Sequence, residues 1–355
     1  MLFVNARYLT QELTGVQRFA EEISLSLNEI RNDLVFLSPP GVIRSDVAKK
    51  LQVQEIGTRK GHQWEQIELP RYLKKNGSGL LLNLGNTAPI LYKNQIITHH
   101  DVAYKRYPAS FSKKFRLFYN IFVPLMLKKS KWLFTVSDFS RCEINDIYGY
   151  PLDKISVIYN AVNEEFKRGE GKKTEPYFLA VSSPNFHKNF HGMLQAFSTL
   201  SKKYDVALKI IGKTTGSFSK QDFSSLVKTS NKIDFLGRVE DDEMISLYQN
   251  AYAFVFPSFY EGFGIPPLEA QSCGCPVISS NTASMPEVLR DSALYFDPYS
   301  TSQMADAMER ILLNRELRLN LIEKGDENIK RFSWINSARK VSEIVNEILE
   351  KKYNR

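Results

Sequence analysis

Two carboxylates eight positions apart, Glu261 and Glu269, bracket the segment EGFGIPPLE. These residue types suit a ligand with a diphosphate at its centre and hydroxyl-rich rings at its two ends. Gly262 and Gly264 lack the Cβ that would keep a ligand from the backbone. Pro266 and Pro267 fit the first turn of a helix, and that turn would also carry Glu269. Unpaired N–H groups at a helix start attract phosphate, so Phe263, Gly264 and Ile265 would form an anion seat with an acid on either side. Dipole compensation at the helix start accounts for Glu269 alone. It does not account for Glu261, the glycines and the prolines together.

Other candidates follow the same logic. Lys188 comes just after an apolar strand pattern and just before a helical one (Phe190, Met193, Leu194, Phe197), where a fixed cation could stabilise a leaving diphosphate. An exposed loop lysine is the plain alternative. Glu269 suits a ribose, because a carboxylate can accept hydrogen bonds from both hydroxyls of a vicinal diol. Gly15, followed by Val16, lies between the first strand and its helix and would let phosphate approach that helix start. The stretch is not a full G-x-G-x-x-G and lacks the acid a nicotinamide site needs, which argues against a dehydrogenase. His100 follows a strand at its carboxyl end, with His99 directed to the opposite face by strand alternation.

The elements that must position these residues alternate strand and helix. Strand patterns fall at 2–6, 33–37, 52–56, 80–84, 95–98, 133–136 and 155–159, with helices expected at 15–30, 65–75, 112–129 and 139–147. A charged, glycine-containing stretch at 164–176 reads as a linker. Alternation resumes with strands at 177–181, 206–211, 233–236, 252–256, 276–279 and 293–296. The fold class is therefore α/β, with parallel sheets covered on both faces. Two Rossmann-like domains are expected in tandem, at 1–165 and 175–332. Ligands of such sheets bind beyond the carboxyl ends of the strands.

Length and composition agree: 355 residues exceed the usual size of one core, and 43% hydrophobic with 24% charged residues is ordinary for a globular protein. No apolar run is long enough to span a bilayer, and the start of the chain does not read as a signal peptide. Three cysteines imply no disulfide framework, and Cys273 and Cys275 read as small packed residues rather than metal ligands. The formal charge of +8 concentrates in 105–132, where Lys and Arg alternate with Phe, Tyr, Leu and Trp and no Asp or Glu occurs. An anionic membrane surface and a solvated face on a core helix both fit that stretch. No nucleic-acid motif accompanies it.

These motifs together resemble the retaining glycosyltransferases of family GT4, which have the GT-B fold. The resemblance rests on Glu261-x7-Glu269, on residues 233–243, on Gly274–Ser280 with Pro286–Val288, and on His187–Lys188–Asn189. It also rests on Thr14–Arg18, His100–Asp101 and Val136–Ser140 in the first half. It implies two domains facing across a cleft, a C-terminal helix (334–355) crossing back to the first, and no cofactor or metal. The donor would be a UDP-, GDP- or dTDP-sugar. The resemblance gives Glu261 the hydroxyls of the transferred sugar, Lys188 the diphosphate, His100 a sugar or leaving-group contact, and Arg238 and Val239 a place beside the base. Ser182 and Ser183 stand where relatives often have an arginine, and Arg18, Arg141 or Arg238 could replace it. The expected activity is hexosyl transfer to a glycan acceptor, lipid-linked, in cell-surface polysaccharide, lipopolysaccharide or O-antigen synthesis, at the inner face of the membrane. Trp64 and Gln66 could line a sugar face or pack a helix start. A soluble-acceptor transferase, an epimerase of the same fold and a non-catalytic nucleotide- or glycan-binding module are the rival readings.

Overall fold

The computed structural model describes residues 1–169, 176–181, 185–212 and 232–353. Ser182 and Ser183 lie outside them, so the expected departure there is not addressed. The chain divides into two compact units, one of residues 1–102, 113–160 and 333–355, the other of 103–112 and 161–332.

The first unit holds strands β1 (Leu2–Asn5), β2 (Leu34–Ser38), β3 (Gln54–Glu55), β4 (Leu80–Asn83), β5 (Gln95–Thr98), β6 (Trp132–Thr135) and β7 (Ile155–Val157). They form a seven-stranded sheet in the order β3-β2-β1-β4-β5-β6-β7, every pair parallel. β1, β4 and β5 are buried at every position, as near-continuous apolar strands covered on both faces must be. The helix Gly15–Ile30 buries Phe19, Ile23 and Leu27 on one side. The C-terminal helix Trp334–Tyr353 returns to this unit. Its buried stripe of Val341, Ile344, Val345 and Ile348 supplies one apolar face. Arg31 donates through Nη1 to Ser342 Oγ at 2.8 Å and Asn346 Oδ1 at 2.7 Å, fixing that helix beside the end of the first.

The second unit holds β8 (Tyr177–Val181), β9 (Ala207–Ile211), β10 (Ile233–Gly237), β11 (Ala253–Phe256), β12 (Val277–Ser280) and β13 (Ala293–Phe296), in the order β10-β9-β8-β11-β12-β13. All its pairs are also parallel. Phe178, Phe197, Leu208, Val255, Ile278 and Met308 belong to its core. In each sheet the strand order reverses once, between β1 and β4 in the first and between β8 and β11 in the second. Such reversals open a crevice beyond the strands' carboxyl ends.

Two details depart from the sequence reading, and a third falls on one of its two alternatives. The basic stretch 105–132 is divided between the two units. Lys105 and Arg106 lie on the short helix Ala103–Arg106, in the second unit, whereas Lys113, Lys114, Arg116, Lys128 and Lys129 lie on the helix Lys113–Lys129 of the first. The helix expected at 65–75 begins at Gly61 and contains a π-helical turn at Trp64–Glu68. Pro70 provides the reason, since it has no N–H for the carbonyl four residues back and its ring crowds that carbonyl. Trp64 is fully buried and donates from Nε1 to Ile56 O at 2.7 Å, while Gln66 bonds to Ala88 O and Ile90 N. Both side chains pack the helix rather than face a ligand.

Candidate functional site

Lys188 follows β8 on the short helix Phe186–Lys188, and Glu261 follows β11 in the loop before the helix Ile265–Ser272. They therefore approach from either side of the second sheet's reversal. Lys188 Nζ donates to Glu261 Oε1 at 2.7 Å and Oε2 at 2.8 Å. Ser258 Oγ adds a bond to Oε1 at 2.7 Å. The pair is partly open, with the lysine side chain 26% and the glutamate side chain 11% exposed. Backbone and side-chain bonds tie the two loops together. Phe259 N donates to His187 O at 2.8 Å, and Asn189 Nδ2 donates to Pro257 O and Pro298 O. Ser284 Oγ donates to the carbonyls of Glu261 and Phe263.

An aromatic pad supports these loops. Phe111 stacks on His187 with centroids 5.8 Å apart, Tyr107 lies parallel to Phe259 at 6.3 Å, and Tyr299 stacks on Phe259 at 4.7 Å. Ser110 Oγ accepts from His187 N at 3.2 Å. Burial, helped by the adjacent Lys188 charge, pushes the His187 imidazole down to about 4, so it is neutral near pH 7.

The helix after Gly264 starts at Ile265, with Pro266 and Pro267 inside its first turn. Glu269 is thus its fifth residue, just past the first turn in which the sequence reading placed it. Tyr248 OH donates to Glu269 Oε2 at 3.3 Å. The proline pair removes two N–H groups from the helix start, leaving Gly264 and Ile265 as the donors nearest to it. Gly264 also has a reason of its own to be glycine. Its φ is +90°, and a Cβ would sit 2.5 Å from Met285 Cε. Arg238, exposed, and Val239 follow β10 at the sheet's edge. Of the three arginines considered as substitutes, only Arg238 is in the unit that holds Lys188. Arg141 bonds Asp138 Oδ1 on its own helix and Leu152 O.

His100, Gly15 and Val16 belong to the first unit. His100 Nε2 lies 3.3 Å from Leu84 O. A carbonyl only accepts, so Nε2 carries the proton and Nδ1 is left as an acceptor. Burial, opposed by that carbonyl, brings the ring to about 4. His100 packs edge-on to Phe19, whereas His99 faces Tyr148, as alternation requires. A Cβ at Gly15 would meet nothing within 4 Å, so packing does not demand glycine there. Cys273 and Cys275 are buried, and burial raises both thiols, Cys273 to about 12. Among the described residues no group of three or more His, Cys, Asp or Glu could hold a metal.

Sequence reasoning missed Ser258, Ser284 and the aromatic pad, because only long-range folding brings them to Glu261 and Lys188. It also missed a polar cluster at the first sheet's reversal. Glu65 there accepts from Asn5, Arg7, Thr87 and His62.

Two tandem Rossmann-like units, the second with its reversal occupied by a lysine–glutamate pair beside a glycine-led helix, define the class of GT-B glycosyltransferases. The family model for glycosyltransferase family 4 matches residues 78–166, and that for group 1 glycosyl transferases matches 162–328. The chain belongs to this family of glycosyltransferases. It is 29% identical over 342 residues to the O-antigen chain mannosyltransferase RfbU of Salmonella typhimurium, covering 94% of this chain and 93% of that protein. It is 30% identical over 262 residues to O-antigen chain mannosyltransferase B of Escherichia coli, covering 70% and 69%. Among solved structures, HepE of Anabaena in complex with UDP and glucose superposes with a TM-score of 0.75 at 15% identity, covering 98% of this chain and 99% of that one.

Proposed function

We propose that this chain is a retaining, metal-independent transferase that moves a hexose, mannose foremost, from a nucleotide sugar to a lipid-linked glycan in O-antigen or related cell-surface polysaccharide synthesis. The observation that carries the reading is the Lys188–Glu261 pair at the reversal between β8 and β11. Mannose and O-antigen enter from the two mannosyltransferase relatives, and a nucleoside diphosphate donor is consistent with the UDP bound by HepE.

Lys188 offsets the charge that develops on the departing diphosphate, together with the N–H groups of Gly264 and Ile265, and Gly262 and Phe263 line the same loop. Glu261 accepts hydroxyls of the transferred sugar. Both its oxygens are already engaged by Lys188, and one by Ser258 as well. Same-face attack assisted by the leaving phosphate, as the resemblance implies, is the mechanism proposed rather than a covalent glycosyl–enzyme. Glu269 takes the ribose diol, and Arg238 and Val239 flank the base. His100 Nδ1 accepts from a sugar or leaving-group hydroxyl, and Gly15 and Val16 leave room for phosphate.

The helix Lys113–Lys129 exposes Phe115, Leu117, Ile121 and Leu125 beside Lys113, Lys114 and Lys128. Leu117, Ile121 and Leu125, spaced by four, form an apolar stripe, and such a stripe beside cations fits the headgroup region of an anionic bilayer. No helix among the described residues is long and apolar enough to cross a membrane. Co-sedimentation with anionic vesicles, reduced in Leu117→Glu/Ile121→Glu, is the expected result; equal pelleting of both proteins would rule this surface out.

The donor assignment is tested by a melting screen against GDP-, UDP- and dTDP-sugars, GDP-mannose included. A ligand at a hundred times its Kd adds about 2.7 kcal/mol of apparent stability. One series should give a clear shift. Glu261→Gln should keep that shift while losing transfer. Silence from all three series would remove the donor site.

A further inference from the structure

Residues 103–112 belong to the second unit, although the chain on both sides of them belongs to the first. They land on the two loops that carry Lys188 and Glu261. Pro108 starts a tight turn, Pro108–Ser110, in which Ser110 N donates to Tyr107 O at 3.0 Å and Phe111 N to Pro108 O at 3.2 Å. Proline suits the first position of such a turn because its φ is already set. The turn therefore holds Tyr107 and Phe111 at a fixed spacing.

Phe111 acts on the Lys188 side. Its ring stacks on His187 with the planes 8° apart, and Ser110 Oγ accepts from His187 N at 3.2 Å. His187 is 5% exposed and directly precedes Lys188. Burial keeps its imidazole neutral near pH 7, so no second cation competes there for Glu261. Tyr107 acts on the Glu261 side. Its ring lies parallel to Phe259, with 5° between the planes, and 5.8 Å from Tyr260; these are the two residues before Glu261. The Tyr107 and Tyr299 hydroxyls are 3.1 Å apart, and Tyr299 stacks on Phe259 in turn. The loops are also joined to each other, since Phe259 N donates to His187 O at 2.8 Å. Contacts at these positions fix backbone and leave the reacting side chains to move. Lys188 ends a flexible stem, so it reaches a phosphate correctly only if its Cα starts from the right place. A displacement of about 1 Å at a catalytic group can cost about a hundredfold in rate.

We propose that Tyr107, Ser110 and Phe111 are positioning residues for the transfer step, a strap that sets the backbone from which Lys188 and Glu261 act. This rests on the transferase reading. Hydrolysis of GDP-mannose, UDP-glucose and dTDP-glucose, with water in the acceptor's place, gives kcat and KM. With a donor that turns over, Phe111→Ala should lose about tenfold to a hundredfold in kcat, while KM changes by less than about twofold. Phe111→Tyr, which keeps the stacked ring, should recover most of the rate. In a Lys188→Ala background, Phe111→Ala should cost less than about twofold more, because the strap acts through that lysine. Amide exchange needs no turnover. The N–H groups of His187 and Phe259 should exchange about twofold to tenfold faster in Phe111→Ala, as loss of one stacked ring implies, and that of His187 also in Ser110→Ala. Full kcat in Phe111→Ala, additive losses in the double variant, or unchanged exchange at both amides would overturn the strap. No turnover of any of the three donors by wild type, beside faster exchange in Phe111→Ala, would leave the strap standing and sink the transferase reading.

Discussion

Each sheet carries an ion pair at its reversal, and the two pairs are built in opposite ways. Lys188–Glu261 is partly open, and its cation is a point charge on a flexible stem that can turn from the carboxylate to a phosphate. Arg7–Glu65 is buried, its cation a rigid fork and its carboxylate saturated by four groups. The first can exchange partners when a ligand arrives. The second cannot without leaving a charge uncompensated. On the proposed function one pair serves the chemistry and the other holds geometry, although both stand where a parallel sheet opens its crevice.

The sharpest way to break that contrast is to remove one member of each pair. Lys188→Ala should cut kcat by about a hundredfold to a thousandfold, as loss of an electrostatic stabiliser does, while stability falls by only about 1 kcal/mol. Glu65→Gln should cost about 3–5 kcal/mol, because Arg7 is left buried without its counter-ion. Steady-state kinetics and denaturant unfolding on both variants decide the matter. Comparable losses of stability would show that the pairs do not differ in kind.

Acid separates them next. Glu65 is held at about 2 against an ordinary 4.5, so its contribution is complete above pH 4.5 and disappears as pH falls towards 2. The buried histidines act earlier in the same direction. His99 titrates near 3, His100 and His187 near 4, all against an ordinary 6.5. The unfolded chain therefore takes up protons below pH 6.5 that the fold refuses, and stability drops from there towards pH 4. Urea midpoints measured from pH 8 to pH 3 should show both steps. His187→Phe should flatten the step between 6.5 and 4, and Glu65→Gln the one below 4.5. Unchanged slopes in both variants would contradict the assignments.

How much of this was legible beforehand depends on distance along the chain. Strand–helix alternation reflects local periodicity, so the helix Gly15–Ile30 and the strands Gln95–Thr98, Tyr177–Val181 and Ala293–Phe296 lie where the pattern put them. The stripe from Val341 to Ile348 likewise marked the buried face of the last helix. The family motifs pointed to Lys188 and Glu261, but not to their mutual contact 73 residues apart. Ser258, Ser284 and the Phe111–His187 stack leave no local signature, since each acts through a partner chosen by the fold. Trp64 and Gln66 fitted a sugar face or helix packing equally, since aromatic rings and amides recognise sugars, and only burial, a tertiary outcome, turned Trp64 inward and left His62 facing out. Residues 103–112 were read with the first half because sequence order suggested it, and their packing on Phe259 and His187 is a tertiary choice.

Glycine substitution gives the finest comparison. At Gly264, φ is +90° and an added Cβ meets Met285 Cε at 2.5 Å. Gly264→Ala should cost about 1–2 kcal/mol from the backbone alone, and Met285→Ala should relieve the clash but not the strain. At Gly15 the backbone is unstrained and the space is open, so Ala in that helix should leave stability unchanged or raise it by up to about 1 kcal/mol. Any effect of Gly15→Ala must then be on ligand approach. If phosphate comes close to that helix start, the Kd for the nucleotide sugar rises with no loss of melting temperature. An unchanged Kd, measured by calorimetry beside the Gly264→Ala protein, would take Gly15 and Val16 out of the donor site and leave it to the residues of the second unit.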